Sequence, residues 1–213
     1  RVEDTLKRFR TDYIDVANMH GLAELKDVEN MFSSGSLETL VKLKEEGVVR
    51  YIGFSSHSSP QASLEALKRF DFDVALMAAN ASKVPYVGEF EGIADGSFED
   101  EAIPFAVEKG VGVFAFKVTG QRRLIRKNNE TDKAPGHELL RYAWSLPVHG
   151  IVLGMHTREH VETAAEMCAD FTPMPKDEMR RWNELLAPSA NELTLDYLRP
   201  DYVDDGGWRA HLA

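Results

Sequence analysis

Apolar residues along this chain follow two alternating rhythms. Short apolar runs at Tyr13 to Asn18, Val49 to Phe54, Asp73 to Ala79, Gly112 to Lys117 and Gly150 to Met155 read as buried strands. Between them apolar residues recur three or four apart, as in Leu37-Leu40-Val41-Leu43, Leu64-Leu67-Phe70, Ile103-Phe105-Ala106 and Leu139-Leu140-Tyr142-Ala143, which predicts helices. Further helices are expected over Val2 to Phe9, from the His156-Thr157-Arg158 segment to about Asp170, and from Lys176 to Leu186. Ser36, ahead of Glu38-Thr39, suits a helix start, and Gly47 and Gly110 stand where a helix closes on a left-handed residue. A helix between successive strands implies parallel pairing through right-handed crossovers.

One supersecondary unit is reused. Glu45-Glu46-Gly47-Val48-Val49-Arg50-Tyr51 is echoed by Glu108-Lys109-Gly110-Val111-Gly112-Val113-Phe114, and Arg8-Phe9-Arg10-Thr11-Asp12-Tyr13-Ile14-Asp15-Val16 by Arg69-Phe70-Asp71-Phe72-Asp73-Val74. A βα barrel predicts such repetition, and so does an open doubly wound sheet. A closed barrel needs eight strands and about 250 residues, whereas five strand runs are visible. The chain is therefore expected to be an open five-stranded sheet, or the later part of a barrel whose first three units are absent.

After Asp170 the rhythm stops. Residues 1–175 read as βα units and 176–213 as a C-terminal helix and tail, within a single domain 1–213. The tail's Tyr197, Leu198, Tyr202 and Trp208 are expected on the chain's own core, over the barrel mouth or against a neighbouring subunit.

Composition narrows the class without naming a chemistry. A chain of 213 residues that is 43% hydrophobic can bury one sizeable core. No run approaches the roughly 20 apolar residues of a membrane span, and Arg1-Val2-Glu3-Asp4 lacks a signal peptide's apolar stretch. The single cysteine, Cys168, excludes an internal disulfide framework and suits a reducing, cytoplasmic setting. A net charge of -10 argues against nucleic acid as the main partner.

The most informative segment is Arg10-Thr11-Asp12-Tyr13-Ile14-Asp15-Val16-Ala17-Asn18-Met19-His20, a strand that delivers a histidine at its carboxyl end. In α/β barrels the loops leaving the strand carboxyl ends form the site. The other histidines, His57, His137, His149, His156, His160 and His211, show no spacing with cysteine or carboxylates that makes a zinc site, and surface positions are expected. Cys168, beside Met167 in a helix, is expected to be buried and inert, and the acidic run Glu89, Glu91, Asp95, Glu99, Asp100 and Glu101 to be solvated. The basic loop Arg122-Arg123-Leu124-Ile125-Arg126-Lys127 is unusual in an acidic chain and is expected to face an anionic cofactor; a mobile surface loop is the other reading.

In order and spacing, four segments resemble the aldo-keto reductases, a likeness covering about residues 1 to 186. They are Asp12-Tyr13-Ile14-Asp15 with His20, Leu40 through His57, Phe105 through Lys117, and Gly154-Met155-His156-Thr157-Arg158-Glu159-His160. The resemblance implies a TIM-type (β/α)8 barrel, here incomplete, whose visible strands are the fourth to the eighth. It implies reduction of aldehydes or ketones with a nicotinamide cofactor, usually NADPH. His20 matches the family's carbonyl-orienting histidine. The family's tyrosine acid, and the lysine and aspartate that tune it, belong to earlier strands and match no residue here. Without that acid a factor of about 10² to 10⁴ in rate is lost, so the polypeptide as it stands is expected to be a poor reductase or none.

Cofactor contacts carry over position by position. Ser55 and Ser56 fall where the family places a serine and an asparagine on the nicotinamide amide, and Leu76 stands where a glutamine often serves. Phe116 falls where an aromatic backs the ring, and the turn holding Lys117, Thr119, Gly120 and Arg123 is placed near the pyrophosphate. Gly154 and His156 lead into a helix start where Thr157 and Arg158 suit a phosphate, which favours NADP over NAD; an ordinary capped helix start is the other reading. Thr163 and Ala164 replace the glutamate and asparagine that often reach the adenine.

Three functions are thus expected: an NADP(H)-dependent oxidoreductase acting on a small carbonyl substrate, a non-catalytic nucleotide-binding or scaffold member of the same fold, or an unrelated α/β enzyme. In an incomplete barrel the outer strands would expose unpaired edges, so a homo-oligomer covering them is also expected.

Overall fold

A computed structural model describes residues 2–83, 96–127 and 130–192. The aromatic tail residues, His211 and the acidic Glu89, Glu91 and Asp95 lie outside the described residues. Five strands, β1 (Ile14–Met19), β2 (Val49–Ser56), β3 (Val74–Ala78), β4 (Gly112–Phe116) and β5 (Gly150–Val152), form one sheet in the order β1-β2-β3-β4-β5. Every pair is parallel. Helix α1 (Val2–Phe9) leads in, and α2 (Leu25–Ser33) with α3 (Ser36–Glu45) joins β1 to β2. Then come α4 (Pro60–Arg69), a π-helical turn (Phe98–Ala102) continuing as α5 (Ile103–Glu108), α6 (Gly136–Ser145), α7 (Arg158–Ala169) and α8 (Lys176–Leu186). Among the described residues no helix is long and apolar enough to cross a membrane.

The strand order decides between the two architectures left open by the sequence. A doubly wound sheet reverses direction at a switch point, whereas here each strand is added on the same side of the last. The registers Asn18↔Gly53↔Val74↔Gly112 and Ser55↔Leu76↔Phe114↔Gly150 put those residues on one face. The opposite face carries Ile52, Phe54, Ala75, Met77, Val113 and Ala115, all buried in the main apolar cluster under the helices. On the first face Tyr51 and Val152 are each 50% exposed. All-parallel sheets bury both faces, so a singly wound sheet whose inner face is only partly covered is the wall of a barrel seen from inside.

Local chemistry accounts for most element ends. Gly47 (φ 76°) and Gly110 (φ 78°) close α3 and α5 in the left-handed region, as their repeated sequence context predicts. Ser59 caps α4 by accepting the Ala62 N–H at 2.9 Å, and Pro60 opens the helix. Gly53 is required on the inner face because a Cβ there would strike the Asn18 side chain and come within 2.7 Å of the Val74 carbonyl.

Several expectations are corrected. Helix α2 was not among the expected helices, although Val28 and Met31 are buried and Asp27 Oδ2 accepts the Ala23 and Glu24 N–H groups at its start. Gly35, at φ 75°, is the cap of α3, and Ser36 is its first residue. Strand β5 ends at Val152, short of Met155. Cys168 is exposed, because α7 buries none of its residues. Glu99 is buried, accepting hydrogen bonds from the Asn80 backbone N–H at 2.6 Å and the Ser97 hydroxyl at 2.9 Å. Burial pushes its carboxyl up to about 7.

Candidate functional site

The carboxyl ends of β1 and β2 bring two of the expected groups together, while Phe116, Lys117, Thr119, Gly154 and His156 line a separate cavity at the end of β4. His20 follows the last residue of β1 and is exposed. Ser55, near the end of β2, points to the inner face, where its hydroxyl accepts the Gly21 N–H at 3.1 Å and lies 3.4 Å from His20 Nδ1. The Leu22 N–H donates to the Ser55 carbonyl at 2.9 Å, which fixes the turn carrying His20 against β2. Ser55 thus serves to hold His20.

Ser56 is placed differently. Successive strand residues face opposite ways, so Ser56 points outward, is fully buried, and donates to the Leu22 carbonyl at 2.6 Å. Its hydroxyl is committed to the wall. Leu76 shares the inner face with Ser55 but has no polar atom.

His57 is the mouth residue that sequence reasoning missed, having been assigned to the surface. It is half-buried, with its ring edge-on to Phe116 at 4.6 Å between centroids and 71° between planes. Burial lowers its pKa to about 4, with help from the neighbouring charges of Lys117 and His20, so the imidazole is neutral at pH 7. Its Nδ1 is buried without a partner among the described residues. The signal available in sequence was position alone: His57 immediately follows the strand that bears Ser55.

Beyond Phe116 the chain enters a turn with Lys117 (φ 59°), Gly120 (φ 58°), Gln121 (φ 52°) and Arg122 (φ 69°) all left-handed. For the three non-glycine residues this costs on the order of 1–3 kcal/mol each, and such strain clusters at ligand sites. The turn borders a cavity of about 430 Å³ lined by Phe116, Lys117, Thr119, Arg122, Gly154 and His156, among others. Gly154 has open space where a side chain would stand. Arg123 lies in the same turn, half-buried.

At the start of α7 the structure shows a capped, solvated helix end. Thr157 Oγ1 accepts the His160 N–H at 3.2 Å, and Arg158 pairs with Glu162 at 2.6 Å in full view of solvent. Among the described residues no group of three or more His, Cys, Asp or Glu could hold a metal ion.

Comparison with known proteins decides the family. A family model described as the aldo/keto reductase family matches residues 1–139. This chain belongs to that family. The holo form of aldo-keto reductase AKR11C1 from Bacillus halodurans is a similar solved structure, with TM-score 0.66 and 23% identity over 87% of this chain and 65% of that one. Its apo form gives TM-score 0.61, with 23% identity over 87% and 66%. The chain thus spans just under two thirds of the length of these relatives. A search of curated proteins found no match. Membership in the aldo/keto reductase family removes the unrelated α/β enzyme from consideration and makes the five strands part of a TIM-type barrel.

Proposed function

We propose that the chain forms the nucleotide-binding and carbonyl-orienting side of an NADP(H)-dependent oxidoreductase acting on aldehydes or ketones. The observation that carries this reading is a chain of neighbours along the carboxyl ends of the strands: Ser55 holds His20, His20 is close enough to His57 to act on its charge, and His57 packs on Phe116 at the border of a cation-lined cavity. The residues fit a dinucleotide. Phe116 offers an aromatic surface, Lys117, Arg122 and Arg123 supply positive charge, and Gly120 and Gly154 let a ligand approach the backbone. The Arg158–Glu162 pair is exposed and worth about 0.2–1 kcal/mol, so exchanging Glu162 for a 2′-phosphate is cheap.

When bound, the nicotinamide supplies or accepts the hydride. The protein's task is to meet the negative charge that then gathers on the carbonyl oxygen. With the Gly21 N–H directed to Ser55 Oγ, the Ser55 proton is free to point at His20 Nδ1. That leaves the His20 proton on Nε2, directed at the carbonyl oxygen. The proton donor that the family draws from a tyrosine has no match in this chain, so nucleotide binding is expected to be stronger than turnover.

A second reading, nucleotide binding without turnover, is supported by the buried Ser56 and by Leu76. Titrating NADPH while following quenching of tryptophan fluorescence, with an aldehyde turnover assay alongside, separates the two. Binding with turnover supports the oxidoreductase, binding alone supports the second reading, and no quenching refutes both. We also propose that a second copy covers the exposed part of the inner face, at Val16, Tyr51 and Val152.

A further inference from the structure

Three buried side-chain polar atoms lack a partner among the described residues: His57 Nδ1, Asn80 Nδ2 and Gln121 Oε1. They are not scattered. Each lies on the segment that leaves the carboxyl end of a strand, β2, β3 and β4 in turn. An orphaned buried polar atom costs about 1–3 kcal/mol, so each is a candidate for a partner supplied on binding. His57 is the best placed of the three, because its ring touches Phe116 and lies close enough to His20 and Lys117 to feel both charges.

We propose that His57 is the hydrogen-bonding partner of the nicotinamide carboxamide, a role for which Ser56 and Leu76 offer nothing at this mouth. The inference rests on the NADP(H) reading above. A neutral imidazole has one donor and one acceptor nitrogen, and a carboxamide has an NH₂ and a carbonyl oxygen, so either tautomer finds a complement. A half-turn of the ring exchanges Nδ1 with Cδ2 and Nε2 with Cε1, so the orphaned nitrogen can be brought to the ligand while the ring stays beside Phe116. Neutrality matters as well. The oxidised nicotinamide ring is a cation, and an imidazolium here would repel it, whereas burial keeps His57 uncharged at pH 7. Phe116 and His57 then act together, one giving the heterocycle a surface and the other fixing its rotation.

The test uses the full chain, the His57→Phe and His57→Gln variants, and two ligands: NADPH, and 2′-phospho-ADP-ribose, which lacks the nicotinamide. His57→Phe keeps an aromatic ring against Phe116 and removes the nitrogens. Its NADPH Kd is expected to rise about tenfold, with its Kd for 2′-phospho-ADP-ribose unchanged and His57→Gln recovering most of the loss. In the unaltered chain the His57 imidazole ¹⁵N signals should move on adding NADPH and stay in place with 2′-phospho-ADP-ribose. An unchanged NADPH Kd in a folded His57→Phe chain overturns the proposal while leaving the NADP(H) reading intact. Equal weakening of both ligands also overturns it, as does a loss that His57→Gln does not recover. Failure of the unaltered chain to bind NADPH at all overturns both readings.

Discussion

Ser55 Oγ lies 3.4 Å from His20 Nδ1 while accepting the Gly21 N–H at 3.1 Å, so one hydroxyl ties the end of β1 to the end of β2 and orients the mouth histidine. The distance to His20 is long for a hydrogen bond, as is usual at a mouth awaiting its ligand. Replacing Ser55 with alanine should release the ring and leave the Gly21 N–H without its partner, at a cost of about 1–3 kcal/mol. Urea unfolding measures that loss. The ¹⁵N signals of His20 should show the proton redistributed between its two nitrogens, and an unchanged tautomer would contradict the assigned role.

Glu99 makes stability depend on pH in an unusual direction. Its folded pKa, about 7, lies above the ordinary carboxylate value of 4.5, so the folded chain holds this proton more tightly than the unfolded one. The stabilisation is complete below pH 4.5 and is lost as pH rises through 7, a span worth on the order of 3 kcal/mol. Taken alone, Glu99 would make denaturant midpoints fall from pH 4.5 to 8, and Glu99→Gln should remove that component; a fall that persists unchanged in the variant would assign it elsewhere.

His57 pulls the other way. Its folded pKa of about 4 lies below the ordinary 6.5, so its contribution is complete above pH 6.5 and is lost as pH falls through 4. The two windows overlap, so the unaltered chain should show a shallow pH profile between them. His57→Phe should expose the Glu99 slope in full, and Glu99→Gln the opposite slope of His57. Parallel slopes in the two variants would contradict both assignments.

Phe54 anchors the wall on which the mouth is mounted. It is fully buried and meets Phe72 edge-on at 5.0 Å. Truncation to alanine should cost about 3–5 kcal/mol, seen as a lowered denaturant midpoint. A cost under about 1 kcal/mol would mean that the wall relaxes around the gap.

The inner face predicts association. With Tyr51 and Val152 each half exposed on an apolar surface, sedimentation should show species heavier than a monomer at high concentration. Tyr51→Lys combined with Val152→Lys should shift the distribution towards monomer. A distribution that does not respond would move the contact to another surface.

Much of this protein was legible in the chain itself. The alternating rhythms fixed five parallel strands and most of the helices between them, and Gly47 and Gly110 marked two helix ends, because backbone preference and apolar spacing are local properties. The position of His20 at a strand end was readable for the same reason. What only the tertiary structure decided is which way each neighbour faces and what covers it. Ser55 and Ser56 are adjacent and equally polar, yet pairing turns one to the mouth and the other into the wall. Glu99 resembles its acidic neighbours in sequence but is enclosed beneath Asn80 and Ser97, while Cys168 is exposed on a helix that buries none of its residues. His57 gained its place from Phe116, nearly sixty residues away. Burial and neighbour chemistry arise from contacts between distant segments, and apolar spacing along a chain carries no record of them.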